Sequence, residues 1–296
     1  MTTLGQLVLS GILVGGIYGL IAMGFVIVYR TGRVFNMAYG QFAVIGAYIA
    51  WTFLGSPNSP RLPIPLAIFC TLLFAVAFGL FIERIVFRRM IGKPVFTSFI
   101  LTLGLLAILN SVVMIAWGPE AKVLARTVPS GSINFAGISL SLEYIWTFGI
   151  AVIIMGGFMF FFQRTRLGLA VRAAYSNQVV ARSLGVSARL NAQIAWVLCS
   201  VLATIGGILI GTVQGVSSNL SQLVMVVLVV VLLGGMDSIT GCLVGGLILA
   251  VGESLASYYL GPYLPGIEAI VGVCLILLIL LSRPNGILGS KPVERV

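Results

Sequence analysis

The chain has 296 residues, of which 59% are hydrophobic and 8% charged, and its formal net charge is +10. Soluble domains carry about 25% charged residues, and one soluble core stops growing at about 250–300 residues, so these values exclude a soluble globular fold. They predict an all-α fold, a polytopic transmembrane helical bundle. The basic residues stand in short loops between apolar stretches, which is typical of the positive-inside rule and argues against a nucleic-acid partner.

The apolar stretches predict eight or nine membrane segments within a single transmembrane domain, residues 1–296. A bilayer core about 30 Å thick requires about 20 apolar residues as helix. The first stretch is too long for a cleaved signal peptide, so we expect it to be a retained span. The nine stretches are Leu7–Tyr29, Met37–Leu54, Ile64–Ile82, Val95–Trp117, Tyr144–Phe162, Ala192–Val213, Leu223–Leu233, Cys242–Val251 and Ile267–Leu281.

The last third of the chain allows two interpretations. Leu223–Leu233 and Cys242–Val251 are short, and Gly234, Gly235 and Gly241 lie between them. Residues 223–251 form either two ordinary short spans or a broken, re-entrant helix of the kind that lines a path. Glycines also recur at helical spacing, which predicts close packing of helices in lipid. These are Gly11, Gly15 and Gly19 in the first span and Gly207, Gly211 and Gly215 in the sixth.

The distribution of basic residues predicts that the N-terminus is outside and the C-terminus is cytoplasmic. This orientation leaves only Arg61, Lys122 and Arg126 outside. Among the outer loops, Ser56–Pro65 contains four prolines and is predicted to be extended and stiff. The loop Gly118–Glu143 contains an alternating pattern that predicts a hairpin. Such loops cover helix ends or form a surface on which a soluble partner lands.

The connection from Gln163 to Asn191 is much longer than two neighbouring spans require. Leu169–Leu184 has the composition of a short amphipathic helix, and Gly185 stands where a left-handed helix end favours glycine. From composition alone, such a helix lies on the membrane or binds another protein.

This connection resembles the cytoplasmic coupling motif of branched-chain amino acid ABC-transporter permeases, the LivH-like group. Further similarities run through the chain in the family's order: Asn36-Met-Ala-Tyr-Gly40, Glu83-Arg84, Gly118-Pro119, Gly234-Gly235 and Arg283-Pro284. In that family the coupling element docks in a groove on an ATPase subunit and transmits its closure. The residues that correspond to the coupling motif are Gly168, Arg172, Ala173, Asn177, Ala181 and Gly185.

The resemblance implies a permease subunit in the bacterial inner membrane, which works with several partners. These are a second permease, two cytoplasmic ATP-binding subunits and a periplasmic substrate-binding protein, with lipid around the spans. The chain itself contains no GxxxxGK[ST] phosphate loop. We therefore expect no cofactor and no enzymatic activity in this chain, and ATP and Mg²⁺ to be bound by the partner ATPases.

Polar residues inside the apolar stretches are candidates for the translocation path, because burying them without a partner in hydrocarbon is costly. The candidates are Asn36, Gln41, Gln214 and Glu253. For each of them the alternative is a structural bond to a neighbouring helix. That structural role is the favoured interpretation of Thr102 and Asn110.

The expected cargo is a branched-chain or related small amino acid. Urea, amides, aromatic acids or a sugar are alternatives within the same importer class. A secondary transporter is a weaker alternative, since it requires an ion-coupling site and the chain offers few acidic residues and no His. Solute flux without ATPase subunits would distinguish a channel or carrier from an importer.

Overall fold

The computed structural model describes residues 2–57, 59–90, 93–125, 127–129, 131–135, 138–176, 181, 183, 187–264, 266–283 and 285–289. Ten α-helices occur within these ranges. They are α1 (Thr2–Gly32), α2 (Tyr39–Leu54), α3 (Ile64–Ile85), α4 (Val95–Trp117), α5 (Leu142–Arg164), α6 (Arg166–Ser176), α7 (Ala188–Gln214), α8 (Leu223–Gly234), α9 (Ile239–Tyr259) and α10 (Ile267–Ser282). Two 3₁₀ turns occur at Phe87–Met90 and Ser218–Gln222.

The predicted helical membrane bundle is confirmed. Within the described ranges, six helices are long and apolar enough to cross a membrane, and three shorter apolar helices accompany them. Each of the nine predicted stretches lies within or overlaps one of these helices. The chain is therefore a multi-pass membrane protein.

Two of the loops predicted to lie outside form short hairpins. The pair β3 (Ser132–Phe135) and β4 (Ile138–Ser141) is antiparallel with Ile133 opposite Leu140, as the alternating sequence predicted. The proline-rich loop differs from the prediction, because β1 (Gly55–Ser56) pairs with β2 (Ser59–Pro60) and reverses the chain. Gly55 makes this possible, since its φ of 79° lies in the left-handed region.

The chain divides into two compact units. One comprises residues 1–26, 128–152 and 225–296, and the other comprises residues 27–127 and 153–224. In the first unit, the glycines of α1 bring it against α9, as predicted. A Cβ on Gly15 would lie 2.7 Å from the carbonyl oxygen of Gly246, so only glycine permits this approach. The Ser254 hydroxyl also donates to the Leu7 carbonyl at 2.9 Å.

The first unit also contains the break between α8 and α9. The C-terminal segment closes the end of α8, where helix carbonyls lack intrahelical partners. The backbone N–H groups of Ile287 and Leu288 donate to the carbonyls of Leu233 and Gly234 at 2.9 and 3.0 Å. The tail thus replaces the hydrogen bonds that α8 loses where it stops.

In the second unit, α2 is the buried centre. The side chains of Tyr39, Phe42 and Tyr48 are fully buried. A Cβ on Gly207 would meet the carbonyl oxygen of Ala43, so α7 crosses α2 at backbone contact. The predicted close packing of the sixth span is thereby confirmed, because no side chain separates the two helices at this point.

A non-helical segment follows α7 and runs beside α2. Val216 exchanges backbone hydrogen bonds with Lys122 at 2.7 and 2.8 Å. A Cβ on Gly40 would lie 2.5 Å from the Ser221 carbonyl oxygen, near the beginning of α2. Irregular backbone at membrane depth is tolerated where protein buries it or where it lines a cavity.

Residues 223–251 contain two helices. An extended and 3₁₀ stretch leads into the 12-residue α8, and the longer α9 follows. The prediction that Cys242–Val251 is a short segment is wrong, because α9 runs for 21 residues. Its N-cap, Ser238, accepts a hydrogen bond from the Gly241 N–H at 2.9 Å and allows the helix to begin directly after the glycines.

Candidate translocation and coupling sites

A polar seam joins α2 to α4 in the second unit. Gln41 is 1% exposed, and its Nε2 donates to Asn110 Oδ1 at 3.2 Å. Tyr48 stacks on Trp117 with ring centroids 5.4 Å apart. Residues seven apart on a helix differ in direction by about 20°, so Gln41 and Tyr48 share a face of α2, and Asn110 and Trp117 share a face of α4. The helices run parallel, and the indole of Trp117 closes the seam by donating to Thr52 Oγ1 at 2.9 Å.

Asn36 and Thr102 fix the entry into α2. Asn36 Oδ1 accepts a hydrogen bond from the Ala38 N–H at 3.0 Å, which forms the turn before the helix. The Thr102 hydroxyl accepts from the Met37 N–H at 3.2 Å and lies 3.1 Å from the Phe35 carbonyl. Thr102 and Asn110 each bond to a neighbouring segment, as the structural role favoured for them expects.

Three polar atoms in or next to this seam have unused hydrogen-bonding capacity. Asn36 Nδ2, Gln41 Oε1 and the Tyr48 hydroxyl are buried and have no hydrogen-bond partner among the described residues. An unpaired buried polar group costs about 1–3 kcal/mol. The described residues thus leave one donor and two acceptors unused, with Gln41 in the first turn of α2 and Asn36 just before that helix.

Gln214 lies away from them. It is the exposed last residue of α7. Gly211 lies beside Ala47, and Gly207 lies beside Ala43, so α2 and α7 run in the same direction. At a rise of 1.5 Å per residue, Gln41 and Gln214 are separated by about 13 Å along the helix axes. The structure does not bring Gln214 to the seam.

Glu253 belongs to the first unit and lies inside α9. Its carboxyl group interacts with the hydroxyl of Tyr18 on α1. One turn further, the Ser257 hydroxyl donates to Glu268 Oε1 at 2.7 Å, which joins α9 to α10. Glu253 therefore has the partner on a neighbouring helix that a structural role requires.

The helix predicted over Leu169–Leu184 is present as α6, but it begins earlier than predicted, at Arg166. The structure describes α6 as far as Ser176, and the predicted end of the helix at Leu184 lies outside the described residues. Among the six motif residues, Gly168, Arg172, Ala173 and Ala181 are described, and Asn177 and Gly185 lie outside the described residues. Ala181 is buried, and Ala173 is partly exposed.

Arg172 faces its own chain. One of its guanidinium nitrogens donates to the Gln163 carbonyl at 3.1 Å, at the end of α5. A cation is favourable at this position, because helix C-termini carry partial negative charge. The exposed large hydrophobic side chains in the described part of α6 are Leu167, at 46%, and Leu169, at 59%.

Sequence reasoning missed Thr165, the residue between α5 and α6. Its hydroxyl donates to the Phe161 carbonyl at 2.7 Å and accepts from the Gly168 N–H at 3.0 Å. The sequence contains the signal, since Thr three residues before a helical N–H is a common capping arrangement. The seam was also missed, although the equal spacing of Gln41 with Tyr48 and of Asn110 with Trp117 pointed to it.

A buried ion pair stabilises the end of α3. Arg88 donates to both carboxylate oxygens of Glu83, at 3.3 and 3.0 Å, and the Glu83 side chain is fully buried. Phe87, the residue before Arg88, stacks on Trp196 of α7 with ring centroids 3.9 Å apart. These contacts hold α3 and α7 together near the beginning of α7.

Residues 7–281 match the family described as "Branched-chain amino acid transport system / permease component". The chain is 30% identical to the high-affinity branched-chain amino acid transport system permease protein BraD of Pseudomonas aeruginosa, over 98% of this chain and 97% of BraD. It is 28% identical to the permease protein LivH of Escherichia coli, over 98% of this chain and 97% of LivH. The LivH protein of Salmonella typhimurium is similar to the same extent.

Proposed function

Because this chain belongs to the family of branched-chain amino acid transport permeases, we propose that it is the membrane-spanning subunit of an ABC importer for branched-chain or related small amino acids. The observation that carries the proposal, beyond family membership, is α6. This 11-residue helix stands between two spans, is fixed to the end of α5 and presents Leu167 and Leu169 to its surroundings.

The partner at α6 is a cytoplasmic ATP-binding subunit. Arg164 and Arg166 are exposed beside the two leucines, so the complementary surface is a groove with an apolar floor and an acidic rim. ATP and Mg²⁺ belong to that subunit, since this chain has no phosphate-binding loop. A second permease completes the membrane part, and a periplasmic binding protein delivers the cargo.

The positions of the charges support an orientation with α6 in the cytoplasm. Arg30 lies over the ring of Phe162, 6.0 Å from its centroid, at the α6 end of the second unit. Arg61 and Lys122 flank Trp51, near the opposite end of α2, at 5.3 and 5.7 Å from the ring. The positive-inside rule assigns the end with more basic residues to the cytoplasm. The N-terminus is then outside.

The path passes the seam between α2 and α4. Asn36 and Gln41 supply an unused donor and an unused acceptor, and the extended and 3₁₀ segment that ends at Gln222 lies beside the beginning of α2. Such groups can bind the polar end of an amino acid weakly as it passes. Tight binding is not required here, because the soluble binding protein selects the cargo. Gln214 belongs to the outer end of the path, and Glu253 serves to hold α9 to α1.

The test is reconstitution in liposomes with the second permease, both ATPases and the binding protein. ATP hydrolysis and uptake of radiolabelled leucine should rise together only when the leucine-loaded binding protein is present. Leu169→Glu should abolish capture of the ATPases, because it places a charge in the apolar contact. Val123→Glu is the matched control, since Val123 is 63% exposed in a loop outside the spans.

Each outcome has a distinct meaning. A complex that responds only to another loaded binding protein retains the mechanism and changes the cargo to urea, an amide, an aromatic acid or a sugar. A chain that captures no ATPase and still conducts solute is a channel or a secondary carrier, and the proposal is then wrong.

A further inference from the structure

The joint between α5 and α6 consists of one residue, Thr165, and is fixed from both sides. The Phe161 carbonyl, in the last turn of α5, accepts from the Thr165 N–H at 3.1 Å and from the Thr165 hydroxyl at 2.7 Å. The hydroxyl oxygen also accepts from the Gly168 N–H at 3.0 Å and so caps the next helix. One side chain therefore links the last turn of α5 to the first turn of α6.

Gly168 allows the first turn of α6 to lie against the last turn of α5. A Cβ at this position would meet the carbonyl group of Phe162, which is backbone and cannot rotate away. Even alanine would open the joint. The glycine is therefore explained by contact within this chain, without any contact to a partner.

Arg172, four residues after Gly168, provides the second attachment. Its guanidinium donates to the Gln163 carbonyl at 3.1 Å, across the angle between the two helices. A hydrogen bond from a charged donor is about twice as strong as a neutral one. Val171, beside it, is 2% exposed and packs inward. Leu167 and Leu169 are exposed, at 46% and 59%, on two different sides of the helix, because residues two apart differ in direction by about 200°.

We infer that Gly168 and Arg172 are positioning residues that make α5 and α6 move as one rigid body, and that Leu167 and Leu169 make the contact with the ATPase subunit. The inference rests on the proposed function. It divides the roles along α6: Leu167 and Leu169 receive the movement, and Gly168 and Arg172 deliver it to α5. If the joint were loose, movement of α6 would bend the chain at Thr165 and would not reach the membrane.

The test uses the complete reconstituted importer and Arg172→Met, which keeps the apolar stem and removes the donors. The mutant complex should still contain both ATPases, but the leucine taken up per ATP hydrolysed should fall by about tenfold or more, as loss of one charge-assisted hydrogen bond allows. Arg84→Met is the matched control. Arg84 is exposed at the end of α3 and should leave assembly and coupling unchanged.

A second pair of variants separates the loss of the hydroxyl hydrogen bonds from misfolding. Thr165→Ser keeps both hydroxyl bonds, and Thr165→Val keeps the volume and loses them. Coupling should survive the first and fall in the second. Spin labels at Ile153 of α5 and Arg166 of α6, in a chain whose four cysteines are replaced, should give a narrow distance distribution that Arg172→Met broadens.

The failures are distinguishable. If Arg172→Met releases the ATPases as completely as Leu169→Glu does, Arg172 is a contact residue, and the inference is wrong while the proposed function stands. Unchanged coupling and an unchanged label distance in Arg172→Met also overturn it. If the unmodified chain captures no ATPase, the proposed function fails as well.

Discussion

Replacing Gln41 by leucine distinguishes a role in transport from a role in holding α2 to α4. The substitution removes the hydrogen bond to Asn110 and also removes Oε1, which is buried without a partner among the described residues. A lost interhelical bond in a membrane costs about 0.6–1.7 kcal/mol, and removing an unpaired buried acceptor relieves about 1–3 kcal/mol. The free energy of unfolding should therefore stay close to wild type or rise.

Uptake should nevertheless fall, because the seam loses the polar group that a passing solute uses. The assay measures chemical unfolding of the chain in detergent and initial leucine uptake by the reconstituted importer, normalised to assembled complex. Thr102→Val is the matched control. The Thr102 hydroxyl is fully buried and bonded, so its loss should destabilise the chain by about 1–3 kcal/mol and leave uptake per complex near wild type.

Loss of stability with unchanged uptake would contradict a transport role for Gln41. If Gln41→Leu destabilises the chain by about 2 kcal/mol and the remaining folded complex imports leucine at the wild-type rate, Gln41 is structural. The seam is then a packing contact, and the translocation path lies elsewhere.

Three further predictions concern packing. Gly207→Val places methyl groups against the Ala43 carbonyl and should prevent α7 from packing on α2, which is measured as loss of monodisperse protein on size exclusion. A stop codon after Arg283 removes the N–H donors that close α8 at Gly234; two lost bonds should lower the stability by about 1–3 kcal/mol, seen as an earlier unfolding midpoint. Glu253→Gln keeps a hydrogen-bond acceptor for its partner on α1 and should leave uptake unchanged, whereas a large loss would assign that side chain to the path.

Local patterns predicted most of the secondary structure. The nine apolar stretches correspond to helices, and the hairpin register of Ile133 with Leu140 follows from alternation. The packing of Gly15 and Gly207 against other backbones also follows from their spacing. Hydropathy and periodicity act over one helix length, and a bilayer imposes that length on every span, so neighbouring residues suffice for these predictions.

Errors arose where a helix end depends on distant residues. Cys242–Val251 looked short because Glu253 interrupts the apolar run, but α9 continues through it with Tyr18 as a partner. The extended and 3₁₀ segment before α8 is stabilised by its backbone hydrogen bonds with Lys122. It can also pack closely on Gly40, because glycine has no Cβ. None of these partners is adjacent in sequence, so no local pattern contains them.

The sequence by itself determined that this chain is a helical membrane protein with a separate helix between its fifth and sixth spans. Tertiary structure alone decided which polar groups meet. Gln41 and Asn110 are 69 positions apart and become partners only because α2 and α4 pack in parallel. It also decided that Arg172 bonds to Gln163 within the same chain. Hydrogen bonds depend on distances of a few ångströms and on direction, and those quantities are fixed only when the helices have packed.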